Sequence, residues 1–393
     1  MSVLEPFGPI GIIAHSANDD FVRAVSNTLY EKRRKRYETK ANPYVTSPGY
    51  LRSDYLIDSS LVRFQTGEGK FELGESVRGH DIFIITDILA HSDTYDIFGN
   101  PHMMSPDDHF RDLVRIISTC SGKARRINVI MPFVYEGRRE IRDSSRESWD
   151  CADMLRQLFD LGVANFVAFD PHDVRIANAV PLMGMEFPRS AYKIITTLLS
   201  KYDTLHIDKD KTIVVSPDES GVNRAIFYSS MLNLPLGIFY RDRDYTIKVD
   251  GQHPIKDYMF LGDDVQGKDI LIIDDMINSG STMLRTSEKL KAAGAKDIYC
   301  LSPFGLFTEG LEAFDEAHEK GIIKSVVCTN LIYRSKELLS RPWYLDVNMI
   351  PYVTRIIDAL NVDESVYDLI NSTSRISDFL GQIRIGELFD DFE

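Results

Sequence analysis

The sequence predicts an α/β fold, because short apolar runs alternate with amphipathic stretches along most of the chain. The strand candidates are residues 10–14, 81–86, 127–131, 165–169, 212–215, 235–240, 270–273 and 297–301. Segments with helical periodicity lie between them, at about 18–31, 107–119, 148–161, 221–233 and 281–293. Strands that alternate with helices indicate βαβ units, in which a mainly parallel sheet is flanked by helices on both faces.

Two pairs of similar segments indicate an internal repeat. Residues 79–87, GHDIFIITD, and 267–275, GKDILIIDD, are identical at six of nine positions. Further along, INVIMPF at 127–133 resembles IYCLSPF at 298–304. The first copy is longer between its two motifs, and residues 88–104 read as a loop insertion of about the size of that difference.

The repeat predicts two similar domains. We place an N-terminal domain at 1–195 and a C-terminal domain at 196–370, with a C-terminal extension at 371–393 that forms a further helix and a frayed end. A chain of 393 residues is too long for one typical domain and suits two.

Composition excludes several classes of function. Acidic residues outnumber basic residues by 59 to 45, for a net charge of −14, whereas a sequence-independent nucleic-acid binder must neutralise phosphates. No apolar run approaches the roughly 20 residues of a membrane-spanning helix, and no basic region precedes the first apolar stretch, so neither a membrane span nor a signal peptide is expected. The four cysteines form no CxxC pair, and we expect buried free thiols in a reducing, cytoplasmic location.

The strongest chemical signal is the segment ILIIDDMINSGST at 270–282. An apolar strand ends at Asp274 and Asp275, and the small residues that lead into the next helix are Asn278, Ser279, Gly280, Ser281 and Thr282. Such a turn directs backbone N–H groups and the positive end of the helix dipole at one point. Glycine allows an anion to approach closely, and the hydroxyls add donors, so the turn predicts a site for a phosphate monoester.

The two carboxylates indicate what carries the phosphate. Open α/β sheets bind ligands at the carboxyl ends of their strands, where Asp274 and Asp275 lie. Two adjacent carboxylates beside a phosphate suit the hydroxyls of a sugar or a magnesium ion. The structural alternative is a pair of solvent-facing acids before a helix cap, but five small polar residues are more than a cap requires.

This segment resembles the phosphoribosyl diphosphate-binding motif of the type I phosphoribosyltransferase fold. With the segments described next, it gives a resemblance to the ribose-phosphate pyrophosphokinase family over about residues 10–370. The resemblance implies two phosphoribosyltransferase-like domains. It also implies an enzyme that transfers the diphosphoryl group of ATP to the 1-hydroxyl of ribose 5-phosphate, giving phosphoribosyl diphosphate and AMP. In that reaction the turn 278–282 would hold the 5-phosphate, and Asp274 and Asp275 would hold the 2- and 3-hydroxyls.

Two further segments of the C-terminal domain carry the resemblance. VVSPDESGVNRA at 214–225 resembles the segment after the first strand of the family's second domain, which implies that Asp218 helps to hold the catalytic magnesium and contacts the ribose. YRDRDYTIKVDG at 240–251 aligns with the family's mobile loop. Arg241 stands where the family has lysine and Arg243 at the last arginine, which implies that both stabilise the transition state; Asp242 reverses the charge between them.

Two segments of the N-terminal domain resemble ATP-binding elements. FDPHD at 169–173 resembles the family's Asp-Leu-His element, which implies that His172 contacts magnesium or the ATP phosphates. PFVYEGRREIRD at 132–143 resembles the arginine-rich ATP loop, with Arg138 and Arg142 at its cationic positions. Ile141 replaces an arginine of that loop.

The segment RFQTGE at 63–68 resembles the family's flap, which reaches the adenine of a neighbouring subunit. The resemblance implies that Phe64 stacks on the base and that Glu68 accepts from its amino group or anchors the flap, while Thr66 replaces a longer polar residue. It also implies a homo-oligomer with an intersubunit ATP site. An edge hairpin explains this segment equally well.

Two other functions stay open. A phosphoribosyltransferase would share residues 270–282 but has no use for the N-terminal arginine cluster. A non-catalytic relative that binds nucleotide or regulates a synthetase is favoured by Ile141, Asp242 and the insertion at 88–104. Formation of AMP from ATP and ribose 5-phosphate separates these readings.

Overall fold

The computed structural model describes residues 5–15, 19–40, 43–142, 145–243 and 255–385. Its strands in chain order are β1 (Ile10–His15), β2 (Ser59–Arg63), β3 (Gly69–Leu73), β4 (Asp81–Thr86), β5 (Thr94–Ile97), β6 (Asn100–Met103), β7 (Arg126–Ile130), β8 (Asn165–Val167), β9 (Gly184–Glu186), β10 (Thr212–Ser216), β11 (Leu236–Arg243), β12 (Ile255–Leu261), β13 (Asp269–Ile273), β14 (Met276–Ile277), β15 (Ile298–Leu301), β16 (Phe304–Gly305), β17 (Ser325–Thr329) and β18 (Tyr344–Val347).

The α-helices are α1 (Asp19–Glu38), α2 (Pro106–Cys120), α3 (Asp150–Asp160), α4 (Ala191–Lys201), α5 (Val222–Leu232), α6 (Ser281–Ala292), α7 (Glu312–Glu319), α8 (Lys336–Leu339), α9 (Ile350–Asn361), α10 (Tyr367–Ile370) and α11 (Thr373–Ile385). Each predicted strand and helix is present. One prediction is wrong: residues 88–104 are not only loop, because they contain the antiparallel hairpin β5–β6.

Contacts divide the chain into two units. Unit 1 contains the described residues up to 189 together with 330–333 and 348–371, and unit 2 contains the described residues of 190–329, 334–347 and 372–385. Residues 348–371 therefore pack within unit 1, although the sequence analysis places them in the second domain. The extension at 371–393 contains α11, and residues 386–393 lie outside the described residues.

Unit 1 is built on a parallel sheet with the strand order β1-β4-β7-β8-β9 among the described residues. Every residue of β4 is buried, as expected for a strand covered on both faces. Helices α2 and α3 place Leu113, Ile117 and Leu155 in the same apolar core as Ile84 and Val129.

Helix α9 packs against α1 through one buried carboxylate. Asp358 accepts from Lys32 at 3.0 Å, from Nε of Arg33 at 3.0 Å and from Arg36 at 2.7 Å. Burial alone would raise the pKa of Asp358, but the charges of Arg33, Lys32 and Arg36 outweigh burial and lower it. The C-terminal part of unit 1 is thus held to its first helix by charge.

Unit 2 is built on a sheet with the order β12-β11-β10-β13-β15-β17-β18 among the described residues. All neighbouring strands are parallel except β11 and β12, which are antiparallel. Strands β10, β13 and β17 are buried along their whole length. The predicted α/β fold, with a mainly parallel sheet flanked by helices in each half, is confirmed.

All four cysteines are buried free thiols, as predicted. Among the described residues, no helix combines the length and the apolar character needed to cross a bilayer.

Candidate functional site

The loop between β13 and α6 in unit 2 is the centre of the candidate site. The chain leaves the sheet at Asp274, whose backbone N–H donates to the carbonyl of Leu301 at 3.1 Å. The short strand β14 then pairs in parallel with β16. Both ends of the turn are therefore fixed before α6 begins at Ser281.

Gly280 occupies a position that only glycine fills without strain. Its φ is 89°, in the left-handed region, and a Cβ atom there would overlap the buried ring of Phe314. The cap residue of α6 is Gly280, which has no side chain, and the N–H of Ser281 donates to the Ser279 hydroxyl over a long 3.4 Å. A helix start whose cap residue has no side chain can present its backbone N–H groups to an anion.

The polar side chains of the turn lie at or near the surface. Asn278 and Ser281 are exposed, whereas Ser279 and Thr282 are half-buried. The hydroxyl of Ser279 donates to that of Ser281 at 3.1 Å. Thr308, which the sequence analysis did not single out, anchors the turn by donating its hydroxyl to Oδ1 of Asn278 at 3.2 Å and its N–H to the Asn278 carbonyl at 3.0 Å.

Three carboxylates meet at this edge of the sheet. Burial raises the pKa of Asp274 well above its ordinary value, and the charges of Asp275 and Asp218 raise it further. The backbone N–H of Asp275 donates to Oδ1 of Asp274 at 2.8 Å, which opposes that shift. The parallel pairing of β10 with β13 brings Asp218 to the same edge as the two acids after β13.

The loop after β10 turns around Asp218. Its Oδ1 accepts from the N–H of Ser220 at 3.0 Å, from the Ser220 hydroxyl at 2.6 Å and from the N–H of Gly221 at 3.1 Å. The Ser216 hydroxyl donates to the Asp218 carbonyl at 2.8 Å. A Cβ atom on Gly221 would lie 3.0 Å from Oγ of Ser216 and 3.8 Å from Oδ1 of Asp274, so glycine keeps this approach open.

Tyr258 fixes the two halves of the site to each other. Its buried hydroxyl donates to the carbonyl of Pro217 and lies 2.7 Å from the hydroxyl of Thr286 on α6. The loop that carries Asp218 is thereby tied to α6, the helix that follows the turn 278–282. Tyr258 escaped the sequence analysis because a single tyrosine in a strand gives no local signal.

The predicted catalytic residues Arg241 and Arg243 lie at the end of β11. Their backbone pairs with β12, with an irregularity between Asp242 and Arg243. Their side chains and residues 244–251 of the predicted loop lie outside the described part of the structure, so the catalytic role of the two arginines stays a prediction.

The predicted ATP-binding arginines lie in unit 1 on the loop after β7. The side chains of Arg138 and Arg142 are exposed, and Cζ of Arg142 lies 4.3 Å from the ring centre of Trp149. Ile141, in the place of a family arginine, is 61% exposed. The isoleucine side chain has no N–H or O–H donor, so it supplies no hydrogen bond to a phosphate.

His172 has a partner that the sequence analysis missed. Its Nδ1 lies 2.7 Å from Oε1 of Glu140, whose side chain is 9% exposed. When Nδ1 donates to this carboxylate, Nε2 is the ring nitrogen that carries the lone pair. The pairing joins residues 32 positions apart, which local patterns do not reveal.

The flap segment is a hairpin turn between β2 and β3, as the edge-hairpin reading predicts. Phe64 is 49% exposed, and its N–H donates to the carbonyl of Glu68 at 2.8 Å. The hydroxyl of Thr66 donates to Oε2 of Glu68 at 3.0 Å. Glu68 thus anchors the turn, and the ring of Phe64 is accessible.

The structure assembles the predicted residues into two groups. Asp218, Asp274, Asp275 and residues 278–282 meet in unit 2, whereas the flap, the arginine loop and His172 lie in unit 1. Within the described residues, no three His, Cys, Asp or Glu side chains form a ready-made metal cluster. The carboxylates of unit 2 fit Mg²⁺ bound by one or two carboxylates together with substrate phosphates and water.

Both halves of the chain resemble known protein families. The N-terminal domain of ribose phosphate pyrophosphokinase matches residues 10–162, and the phosphoribosyl transferase domain matches residues 188–323. Ribose-phosphate pyrophosphokinase of Staphylococcus haemolyticus is 26% identical over 287 residues, covering 70% of this chain and 77% of its own length. A Streptococcus mutans protein, named provisionally as ribose-phosphate pyrophosphokinase 2, is 27% identical over 290 residues, covering 73% and 79%.

A solved structure extends the likeness to the fold. The phosphoribosylpyrophosphate synthetase of Mycobacterium smegmatis superposes with a TM-score of 0.67 at 20% identity, covering 89% of this chain and 98% of that one. The matched domains, taken in order, span most of the sequence. The chain therefore belongs to the ribose-phosphate pyrophosphokinase family and contains two phosphoribosyltransferase-like domains.

Proposed function

We propose that this protein is a ribose-phosphate diphosphokinase, which transfers the diphosphoryl group of ATP to the 1-hydroxyl of ribose 5-phosphate and releases AMP. The observation that carries the proposal is the glycine-capped start of α6 beside the carboxylates of Asp218, Asp274 and Asp275. This arrangement offers donors for a phosphate and acceptors for sugar hydroxyls at one edge of the sheet.

Ribose 5-phosphate is the substrate that the unit 2 group suits. In the proposed complex the 5-phosphate accepts hydrogen bonds from the turn 278–282, and the positive end of α6 stabilises its charge. Asp274 and Asp275 accept from the 2- and 3-hydroxyls. These contacts position the 1-hydroxyl, and phosphoryl transfer depends mainly on such positioning and on electrostatic stabilisation.

The unit 1 group suits ATP. We assign the triphosphate to Arg138 and Arg142, because arginine pairs with phosphate oxygens through two hydrogen bonds. His172 contacts the ATP phosphates or their magnesium ion, and Glu140 holds its imidazole in place. Phe64 stacks on the adenine. Arg241 and Arg243 stabilise the charge that develops on the leaving AMP.

Magnesium is the cofactor that the proposed reaction requires. Asp218 would hold it together with phosphate oxygens, and when bound it would offset charge on the transferred diphosphate. Asp218 is well placed for this role because three hydrogen bonds to one carboxylate oxygen fix its orientation.

A non-catalytic nucleotide-binding protein is the second candidate. The exposed Ile141 favours it, because a phosphate contact of the family loop is missing there. Cytoplasmic location and a homo-oligomer that shares its ATP site are further proposals from the family likeness.

The test is AMP formation from ATP and Mg²⁺, with and without ribose 5-phosphate. AMP that appears only with the sugar phosphate, together with a phosphoribosyl diphosphate signal in phosphorus NMR, supports the proposal. Binding of ATP without any AMP supports the non-catalytic reading. AMP made from phosphoribosyl diphosphate and adenine instead would identify a phosphoribosyltransferase.

A further inference from the structure

The insertion hairpin β5–β6 is attached to the flap turn, residues 64–68. The backbone N–H of Phe98, at the tip of the insertion, donates to the carbonyl of Gln65 at 2.9 Å. A Cβ atom on Gly67 would lie 3.3 Å from Cδ1 of Ile97 and 3.7 Å from Cε2 of Tyr95. The two hairpins therefore touch along the flap turn.

Arg63 links the flap, the insertion and the body of unit 1. Its Nη1 donates to the carbonyl of Gly67 at 3.1 Å, and its Cζ lies 4.6 Å from the ring centre of Tyr95. It also forms an ion pair with Asp112 of α2, whose side chain is fully buried. The position of the insertion relative to the flap is thus fixed by a hydrogen bond, a cation–π contact and a buried ion pair.

Phe98 serves neither the turn nor the core. Phe98 and Gly99 have φ values of 48° and 78°, so the hairpin has the positive-φ pair typical of a type I′ turn. Asparagine is the favoured residue at the first position of such a turn, whereas a bulky aromatic residue is strained there. The side chain of Phe98 is also 79% exposed. Neither local conformation nor burial explains an aromatic residue at this place.

We propose that Phe98 is a nucleotide-binding residue, whose ring adds to Phe64 a second aromatic contact for the purine base. This inference rests on the proposed use of ATP. The bond from the Phe98 N–H to the Gln65 carbonyl brings residue 98 against the turn that begins with Phe64, and stacking on aromatic rings suits every purine. The insertion accordingly belongs to the ATP site.

The decisive variant is Phe98→Asn, because asparagine suits the turn and removes only the ring. We expect the melting temperature to stay equal or rise, while ATP affinity, measured by calorimetry with Mg²⁺ and no sugar phosphate, falls about tenfold. Binding of inorganic triphosphate should be unchanged, since it has no base. Phe98→Tyr should restore ATP affinity, and Met103→Thr, an exposed change on the same hairpin, should not affect it.

The outcomes separate this inference from the proposed function. If the unmodified protein binds no ATP, the proposed function fails. If it binds ATP and Phe98→Asn binds it equally well, the inference alone is wrong. Loss of ATP and triphosphate binding together would also overturn the inference, because the effect would not depend on the base. A smaller oligomer by sedimentation would overturn it too, and would assign Phe98 to a contact between copies of the chain.

Discussion

The Oδ1 atom of Asp274 accepts a hydrogen bond of 2.8 Å from the backbone N–H of Asp275. The side chain of Asp275 is itself a carboxylate, so two like charges are adjacent. Asp218 adds a third negative charge nearby, and the pKa of Asp274 is raised by its burial and by both neighbours. A buried carboxylate beside two further negative charges destabilises the fold unless a ligand or cation compensates it.

The first prediction concerns Asp274→Asn. Because the pKa of Asp274 is raised in the fold, ionisation of this carboxyl destabilises the protein as the pH rises above the ordinary aspartate value. The amide removes that cost, so the melting temperature near pH 7.5 should rise, while AMP formation should fall by about hundredfold or more.

The matched control is Asp297→Asn, before β15 at the opposite end of the sheet, where the carboxylate has a long ion pair with Lys324 at 3.9 Å. It should leave AMP formation unchanged. An Asp274→Asn protein that was both less stable and fully active would contradict the assignment of this carboxylate.

The second prediction concerns the glycine at the start of α6. Gly280→Ala introduces a Cβ atom at positive φ and against the ring of Phe314, so we expect a loss of about 2–4 kcal/mol in unfolding free energy and weaker binding of ribose 5-phosphate. Urea unfolding and calorimetry measure the two effects.

Gly267→Ala separates the effect of backbone strain at positive φ from the effect of overlap between a new Cβ atom and a neighbouring side chain. Gly267 has a similar φ of 72° but no atom within 4 Å of the position that a Cβ would take. It should lose only about 1 kcal/mol and retain binding of ribose 5-phosphate. Equal losses for the two variants would mean that Phe314 does not shape the turn.

The third prediction concerns the carboxylate that orients His172. Glu140→Gln keeps the size of the side chain but weakens its bond to Nδ1 of His172. We expect turnover to fall by about 10–100-fold, with a higher Mg²⁺ concentration needed for half-maximal rate. The KM for ribose 5-phosphate should not change, since that substrate is assigned to unit 2. A change confined to the ribose 5-phosphate KM would count against this role of Glu140.

The fourth prediction concerns stability at acid pH. His15 is buried at the end of β1, with Nδ1 2.8 Å from the hydroxyl of Thr86, and its ring meets that of His109 edge-on at 5.7 Å. Burial, then the charges of His109 and Arg63, lower the pKa of His15 from 6.5 to about 3. Unfolded chains therefore take up a proton below pH 6.5 that the folded protein does not.

The stability contributed by neutral His15 is complete above pH 6.5 and is lost progressively as the pH falls towards 3. Between pH 6.5 and 5 the loss should be about 2 kcal/mol, and His15→Asn should flatten this part of the stability profile. His91→Asn, at an exposed site of the same unit, should not. Parallel profiles for the unmodified protein and His15→Asn would disprove the prediction.

Local sequence predicted the elements with strong periodicity, among them the strand, turn and helix start around residues 270–282. The buried run at 270–273, the two acids after it and the small residues 278–282 define a strand, a turn and a helix start without reference to distant residues. Such features depend on side-chain periodicity, glycine and helix-end chemistry, all of which act over a few neighbouring positions.

Tertiary structure alone decided which distant elements meet. The sequence of α9 does not identify its partner, and only folding shows that this helix meets α1 of unit 1, where Asp358 reaches Arg33. In the same way, the contact of Phe98 with Gln65 and that of Glu140 with His172 depend on how hairpins and loops pack. A local pattern specifies a surface, whereas the partner of that surface is set by burial and charge pairing across the whole unit.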